Sequence, residues 1–145
     1  MLELYKNLVI DHGLNPRNKY ILKDYNHHAK GYNTFCGDTV SLYLYITKKN
    51  IIENISFDGS GCSISIASAS IATCILKNRK SSAINDFYTY LQTLLQNTKT
   101  NNDEDKQYKE INILSNVKYF PSRIKCANLA WHVLIETLNK KKDII

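Results

Sequence analysis

No stretch of this 145-residue chain is apolar for long enough to cross a bilayer as a helix, which takes about 20 consecutive apolar residues. The opening Met1-Leu2-Glu3-Leu4-Tyr5-Lys6 lacks the basic flank and apolar run of an export signal, so a cytoplasmic location is expected. Internal repeats and low-complexity linkers are also missing. One domain over residues 1–145 is therefore the expectation, with length enough for a hydrophobic core that needs no staples. Cysteine is scarce, at four residues, and none of them form a Cys-x-x-Cys pair, the short spacing common in closed structural zinc sites. In a reducing compartment such cysteines are thiols or metal ligands rather than disulfides.

Acidic residues are outnumbered, 13 against 19 lysines and arginines, for a net charge of +6. Counterion release from phosphate would explain such an excess, but the pattern is wrong for it. The lysines are scattered apart from Lys140-Lys141-Lys142, and the ten tyrosines are not interleaved with arginines. Neither nucleic acid nor membrane is expected as a partner, and an acidic protein partner accounts for the same charge through steering.

What the chain does contain is periodic. Leu2, Tyr5, Leu8, Val9 and His12 recur at helical spacing and predict a first helix, closed by Gly13 and Asn15-Pro16. Thr39 to Thr47 alternates Val40, Leu42, Leu44 and Ile46 with polar or aromatic residues, a half-buried strand, and Ile51 to Phe57 follows a Lys48-Lys49-Asn50 turn as its antiparallel partner. Helices are predicted over Ser63–Leu76, about Ser82–Gln96, and from Ser122 or Arg123 to Leu138. The polar segment Asn97 to Glu110 reads as an exposed connection. Strands early and helices late make the expected class α+β, a small antiparallel sheet packed against several helices.

Three cysteine contexts punctuate this layout: Phe35-Cys36-Gly37-Asp38, Gly59-Ser60-Gly61-Cys62-Ser63 and Arg123-Ile124-Lys125-Cys126. Together they offer three thiolates and one carboxylate, a donor set that suits zinc or iron. Cys36 and Asp38 are two apart, so an extended backbone puts both side chains on one face. Asp38 taken alone would be a turn or capping carboxylate. Cys62 is predicted at a helix start and Cys126 in the first turn of another, positions that favour thiolate. A carboxylate in the set holds metal less tenaciously than a fourth thiolate, so the site can release a ligand and expose a nucleophilic sulfur. Cys74, about three turns beyond Cys62, reads as core packing. His12 reads as a helix-end partner, His27-His28 as a solvated loop, and His132 as facing away from Cys126.

The same residues carry a family resemblance. Asp11-His12-Gly13-Leu14-Asn15-Pro16-Arg17-Asn18-Lys19, Cys36-Gly37-Asp38, Gly59-Ser60-Gly61-Cys62-Ser63-Ile64-Ser65 with Ala67-Ser68-Ala69-Ser70, and Phe120-Pro121-Ser122-Arg123-Ile124-Lys125-Cys126-Ala127 resemble the SufU branch of the IscU/NifU N-terminal family, in order over nearly the whole chain. Scaffold-type IscU proteins carry a histidine just before the last cysteine and a shorter connection leading to it. Lys125 stands there in this chain, and Ser82 to Glu110 resembles the longer SufU connection.

The resemblance implies an IscU-like fold (the SufE/NifU fold) and a tetrahedral zinc held by Cys36, Asp38, Cys62 and Cys126. It further implies a zinc-dependent sulfurtransferase that takes persulfide sulfur from a SufS-type, pyridoxal-phosphate-dependent cysteine desulfurase. Cys36 is the acceptor, freed when a desulfurase histidine replaces it on the zinc, and the sulfur passes to a downstream iron–sulfur assembly scaffold. The alternative is an IscU-type scaffold that assembles a labile iron–sulfur cluster on the same residues. Arg123 would offset the excess negative charge of three thiolates and a carboxylate around a divalent ion. The chain departs from the branch at Asn33-Thr34-Phe35, where SufU proteins commonly read Asn-Pro-Thr. Losing the proline loosens that loop, and Phe35 offers a different partner surface.

Overall fold

The computed structural model describes residues 2–96 and 108–139, with side chains from Lys6 onward. Three antiparallel strands, β1 (His27–Asn33), β2 (Asp38–Ile46) and β3 (Ile52–Ser60), form one sheet in chain order. Helix α1 (Leu2–Leu14) precedes them, and α2 (Ser63–Leu76), α3 (Ala83–Leu95), a 3-10 helix (Ile111–Tyr119) and α4 (Pro121–Thr137) follow. This is the α+β arrangement expected from the sequence.

The alternation in β2 does what its period requires. Val40, Leu42, Leu44 and Ile46 are buried under the helices, while Tyr43 and Tyr45 between them are half-buried on the other face. The β2–β3 turn closes with Thr47 and Ile51 hydrogen-bonded at 2.9 Å, and Asn50 supplies the left-handed residue at φ 64°. Helix α4 covers β1 and β2, and α2 covers β3 and packs on α4 and α1. Small residues make α2 the central helix: Ala67, Ser68, Ala69, Ser70 and Ala72 are all buried, so its neighbours approach closely on several sides. Some of its hydroxyls bond across the packing, Ser68 Oγ donating to the Ala127 carbonyl at 2.6 Å, while buried Ser65 Oγ has no partner among the described residues. Trp131 of α4 and Phe87 of α3 extend the core, with ring centroids 6.3 Å apart.

The structure corrects several expectations. His27-His28 are not a solvated loop but open β1, whose sequence HHAKGYN is too polar to show a strand period. His27 turns inward, its Nδ1 2.8 Å from the Thr137 carbonyl of α4, and His28 stacks on Tyr43, its register partner across the sheet, at 4.5 Å. The segment ahead of α4 holds the unexpected 3-10 helix, which contributes Ile111, Leu114 and Val117 to the core. Cys74 is half-buried at the edge of α2 rather than in the core, and burial pushes its thiol pKa up, with Glu110 adding to the effect. Residues 97–107 of the expected connection, the Lys140-Lys141-Lys142 tail and the side chains of Leu2 and Tyr5 lie outside the described residues.

Candidate metal centre

The three cysteine contexts meet at one end of the sheet, where the β1–β2 turn, the β3–α2 junction and α4 converge. Asn33 and Asp38 are the last register pair of β1 and β2, so Thr34 to Gly37 form the turn that closes them. Gly37 has φ 71°, a left-handed conformation that costs glycine little and brings the chain back into β2 directly after Cys36. Cys36 therefore rides on the turn, half-buried, whereas Asp38 is at the strand end and only 1% exposed.

Gly61 explains how Cys62 reaches Asp38. A Cβ at Gly61 would run into Asp38 Oδ1 and lie 2.9 Å from Asp38 Cα and Cβ, so only a glycine lets the β3–α2 junction pass this close. The next residue, Cys62, is the N-cap of α2, as its predicted place at a helix start requires, and its backbone N–H donates to Asp38 Oδ1 at 2.8 Å. Cys62 Sγ lies 3.9 Å from Asp38 Oδ2. Cys126, by contrast, is six residues into α4, in its second turn rather than its first, because the helix begins at Pro121. The N-terminal dipole is weaker there. The Cys126 thiol is fully buried, and burial pushes its pKa well up, with Cys36, Cys62 and Asp38 close by adding to the rise.

Cys36, Asp38 and Cys126 have ligand atoms all within 4.8 Å of one another, and the Cys126 and Cys36 sulfurs are 3.2 Å apart. Cys62 stands just outside that tight triad, on the Asp38 side. The donor chemistry fits a divalent cation. A nearly fully buried carboxylate crowded by sulfurs is costly unless a positive charge meets it, and among the described residues no lysine or arginine forms an ion pair with Asp38. Soft sulfur donors and one carboxylate suit zinc or iron rather than magnesium or calcium.

Two residues complete the surroundings. Arg123, exposed at the start of α4, places Nη1 3.6 Å from Cys36 Sγ, and Cys126 first, then Cys62 and Cys36, push the guanidinium pKa further up. Asn33 was missed in the sequence reading as a member of the site. It is buried, and its Nδ2 donates to Asp38 Oδ2 at 3.2 Å and lies 3.5 Å from Cys126 Sγ. Its one sequence signal is its place three residues before Cys36. No histidine joins the centre among the described residues: His12 is buried against Ser70 Oγ at 2.8 Å, and exposed His132 lies 3.3 Å from Tyr88 Oη.

Beside this centre runs an apolar groove of about 500 Å³ lined by Val9, Ile10, Ile64, Val117 and Phe120, with Lys6 and Arg123 at its rim. Phe35, beside Cys36 in sequence, and Phe120, three residues before Arg123, are exposed at 72% and 60%. No helix among the described residues is long and apolar enough to cross a membrane.

Comparison with known proteins gives this geometry its context. The chain is 34% identical over 139 residues to the zinc-dependent sulfurtransferase SufU of Bacillus subtilis, covering 96% of this chain and 92% of that one. It is 28% identical over 137 residues to the iron–sulfur cluster assembly scaffold protein IscU of Thermotoga maritima, covering 94% of each. Its fold matches the crystal structure of a nitrogen-fixing NifU-like protein (N-terminal part) from Brucella abortus, with a TM-score of 0.82 at 14% identity over 94% of this chain and 93% of that one. The family pattern of the NifU-like N-terminal domain matches residues 4–127, and this chain belongs to that family.

Proposed function

We propose that this protein serves iron–sulfur cluster assembly as a zinc-dependent sulfurtransferase, with Cys36 accepting persulfide sulfur from a SufS-type cysteine desulfurase in the cytoplasm. Cys36, Asp38, Cys62 and Cys126 would hold the zinc. The observation that carries the reading is the buried Asp38 carboxylate set among thiols, with no lysine or arginine among the described residues paired to it, alongside similarity to a SufU over 96% of this chain. Bound zinc would keep the thiols deprotonated without redox chemistry of its own.

The chain's own residues supply the rest. Cys36 is the one donor on a turn, whereas Cys126 is fixed in a helix and Cys62 and Asp38 are joined by a backbone hydrogen bond. Its thiolate attacks the terminal sulfur of the desulfurase persulfide. A new S–S bond forms on Cys36, the S–S bond on the desulfurase breaks, and the electron pair leaves on the desulfurase cysteine as thiolate. No external oxidant or reductant enters. Arg123 beside Cys36 draws the anionic persulfide in, and exposed Phe35, Phe120 and the groove offer the partner an apolar seat. The sulfur then passes to a downstream iron–sulfur assembly scaffold.

Elemental analysis coupled to a desulfurase assay tests this. About one zinc per chain is expected, with cysteine turnover by the desulfurase rising when the protein is added. The Cys36→Ala protein should give no stimulation, and stimulation equal to wild type would refute the acceptor role. Similarity to IscU scaffolds along nearly the whole chain supports a second reading, a labile cluster built on the same four residues. Anaerobic reconstitution with iron and sulfide separates the two: a stable visible chromophore that transfers to an apo-ferredoxin favours the scaffold.

A further inference from the structure

We propose that Asn33 is a positioning residue for this centre: its amide fixes the Asp38 carboxylate and ties it to Cys126, so that Asp38, Cys62 and Cys126 remain assembled while Cys36 departs to carry sulfur. The inference rests on the reading of the centre as a zinc site with Cys36 as the mobile thiol.

The hydrogen bonds in the centre are distributed unevenly. Asp38 Oδ1 accepts the Cys62 N–H at 2.8 Å, and Asp38 Oδ2 accepts from Asn33 Nδ2 at 3.2 Å. Each carboxylate oxygen has lone pairs for two partners, so one protein donor apiece fixes the plane of the group and still leaves it able to bind a cation. The same Nδ2 lies 3.5 Å from Cys126 Sγ. Asn33 thus bridges a ligand on β2 to a ligand on α4, while the Cys62 N–H adds the third. Among the described residues Cys36 has no comparable tie. Its sulfur meets the buried Cys126 sulfur and the Arg123 guanidinium, and the guanidinium is exposed, so a docking partner can displace it.

The residue type fits the task. An amide donates without charge, whereas a lysine at this place would pair with Asp38 and compete with the cation, and an aspartate would repel Asp38 and offer the cation a rival ligand. Burial keeps water from standing in for the donor, since Asn33 is 9% exposed. Its backbone is held by the last β1–β2 register pair, with Asp38 itself, so donor and acceptor are set by the same strand pairing. Outer-shell partners of this kind are worth roughly 10–100-fold in metal affinity.

The test compares wild type, Asn33→Ala and the size-matched, apolar Asn33→Leu, each checked for folding by far-ultraviolet circular dichroism. Zinc affinity is measured by competition with a chromophoric chelator, and ligand geometry by the absorption of the Co²⁺-substituted protein. Both variants should lose about 10–100-fold in zinc affinity and show an altered cobalt d–d envelope while keeping thiolate-to-cobalt charge transfer. A merely structural role would lower thermal stability and leave that envelope unchanged. If Asn33→Ala does not fold, Asn33→Leu decides. A folded variant with wild-type affinity and spectrum overturns the positioning role and leaves the zinc reading standing. A wild type without thiolate-to-cobalt charge transfer overturns both.

Discussion

Replacing Gly61 by alanine isolates the close approach on which the centre depends. The new Cβ would lie 2.9 Å from Asp38 Cα and Cβ and overlap Oδ1, where ordinary contacts are at least half an ångström longer, and φ at this position is 147°. Two costs add: about 1–3 kcal/mol for an L-residue in that backbone region and about 1–3 kcal/mol for forcing a methyl group into a packed space. Gly37→Ala is the natural control, since its φ of 71° imposes strain but nothing lies within 4 Å of the added Cβ. That change should cost about 1–2 kcal/mol. Urea unfolding of the metal-free proteins should therefore place Gly61→Ala about 1–3 kcal/mol below Gly37→Ala, the clash term alone. Gly61→Ala should also weaken zinc binding, because the Cys62 N–H bond to Asp38 Oδ1 cannot survive the displacement. Equal stabilities for the two variants, with zinc binding intact in Gly61→Ala, would refute the argument that this junction is fitted to the Asp38 carboxylate.

Other outcomes follow from individual contacts. Burial first, then Arg17, lowers the His12 pKa below its ordinary 6.5, so the folded state prefers the neutral ring; its contribution to stability is complete above that value and is lost as pH falls through the window between the unfolded and folded pKa values. Urea midpoints should drop more between about pH 7.5 and 5.5 for wild type than for His12→Gln, and equal slopes would exclude His12 as the cause. Buried Tyr90 donates to Asn112 Oδ1 at 2.6 Å, so Asn112→Ala should cost about 1–3 kcal/mol by leaving the hydroxyl unpaired. Adding Tyr90→Phe should recover part of that loss in thermal unfolding. Arg123→Ala should leave zinc content unchanged yet slow sulfur acceptance several-fold at low salt, with the gap narrowing as salt rises; a gap that ignores salt would argue against a charge effect.

Helix α3 and the β2–β3 hairpin were legible because each buries one clear face: Val40, Leu42, Leu44 and Ile46 alternate, and Ile84, Phe87, Leu91, Leu94 and Leu95 keep helical spacing. β1 was not, because only Ala29 and Asn33 of its seven residues are buried, and its pairing is dictated by β2 and α4 rather than by its own pattern. The 3-10 helix was hard to see because its apolar residues, Ile111, Ile113, Leu114 and Val117, occupy only nine residues directly after the polar stretch that ends at Glu110. At the centre, cysteines beside glycines are visible in one dimension, and the structure brings Cys36, Asp38 and Cys126 together with Cys62 beside them. Asn33 was invisible there for the reason β1 was: its role exists only once the register sets it opposite Asp38.

The turn between Asn33 and Asp38 divides two kinds of change. Substitutions at Thr34 and Phe35 alter what a partner touches without entering the strand pairing that sets Asp38, so the tip can change while the donors stay in place. An insertion or deletion on the strand side of the turn, by contrast, would flip or slide the Asn33–Asp38 pair and dismantle the centre at once. The hairpin therefore works as a fixed socket with an interchangeable tip, in which partner preference can drift while the chemistry beneath it stays in register.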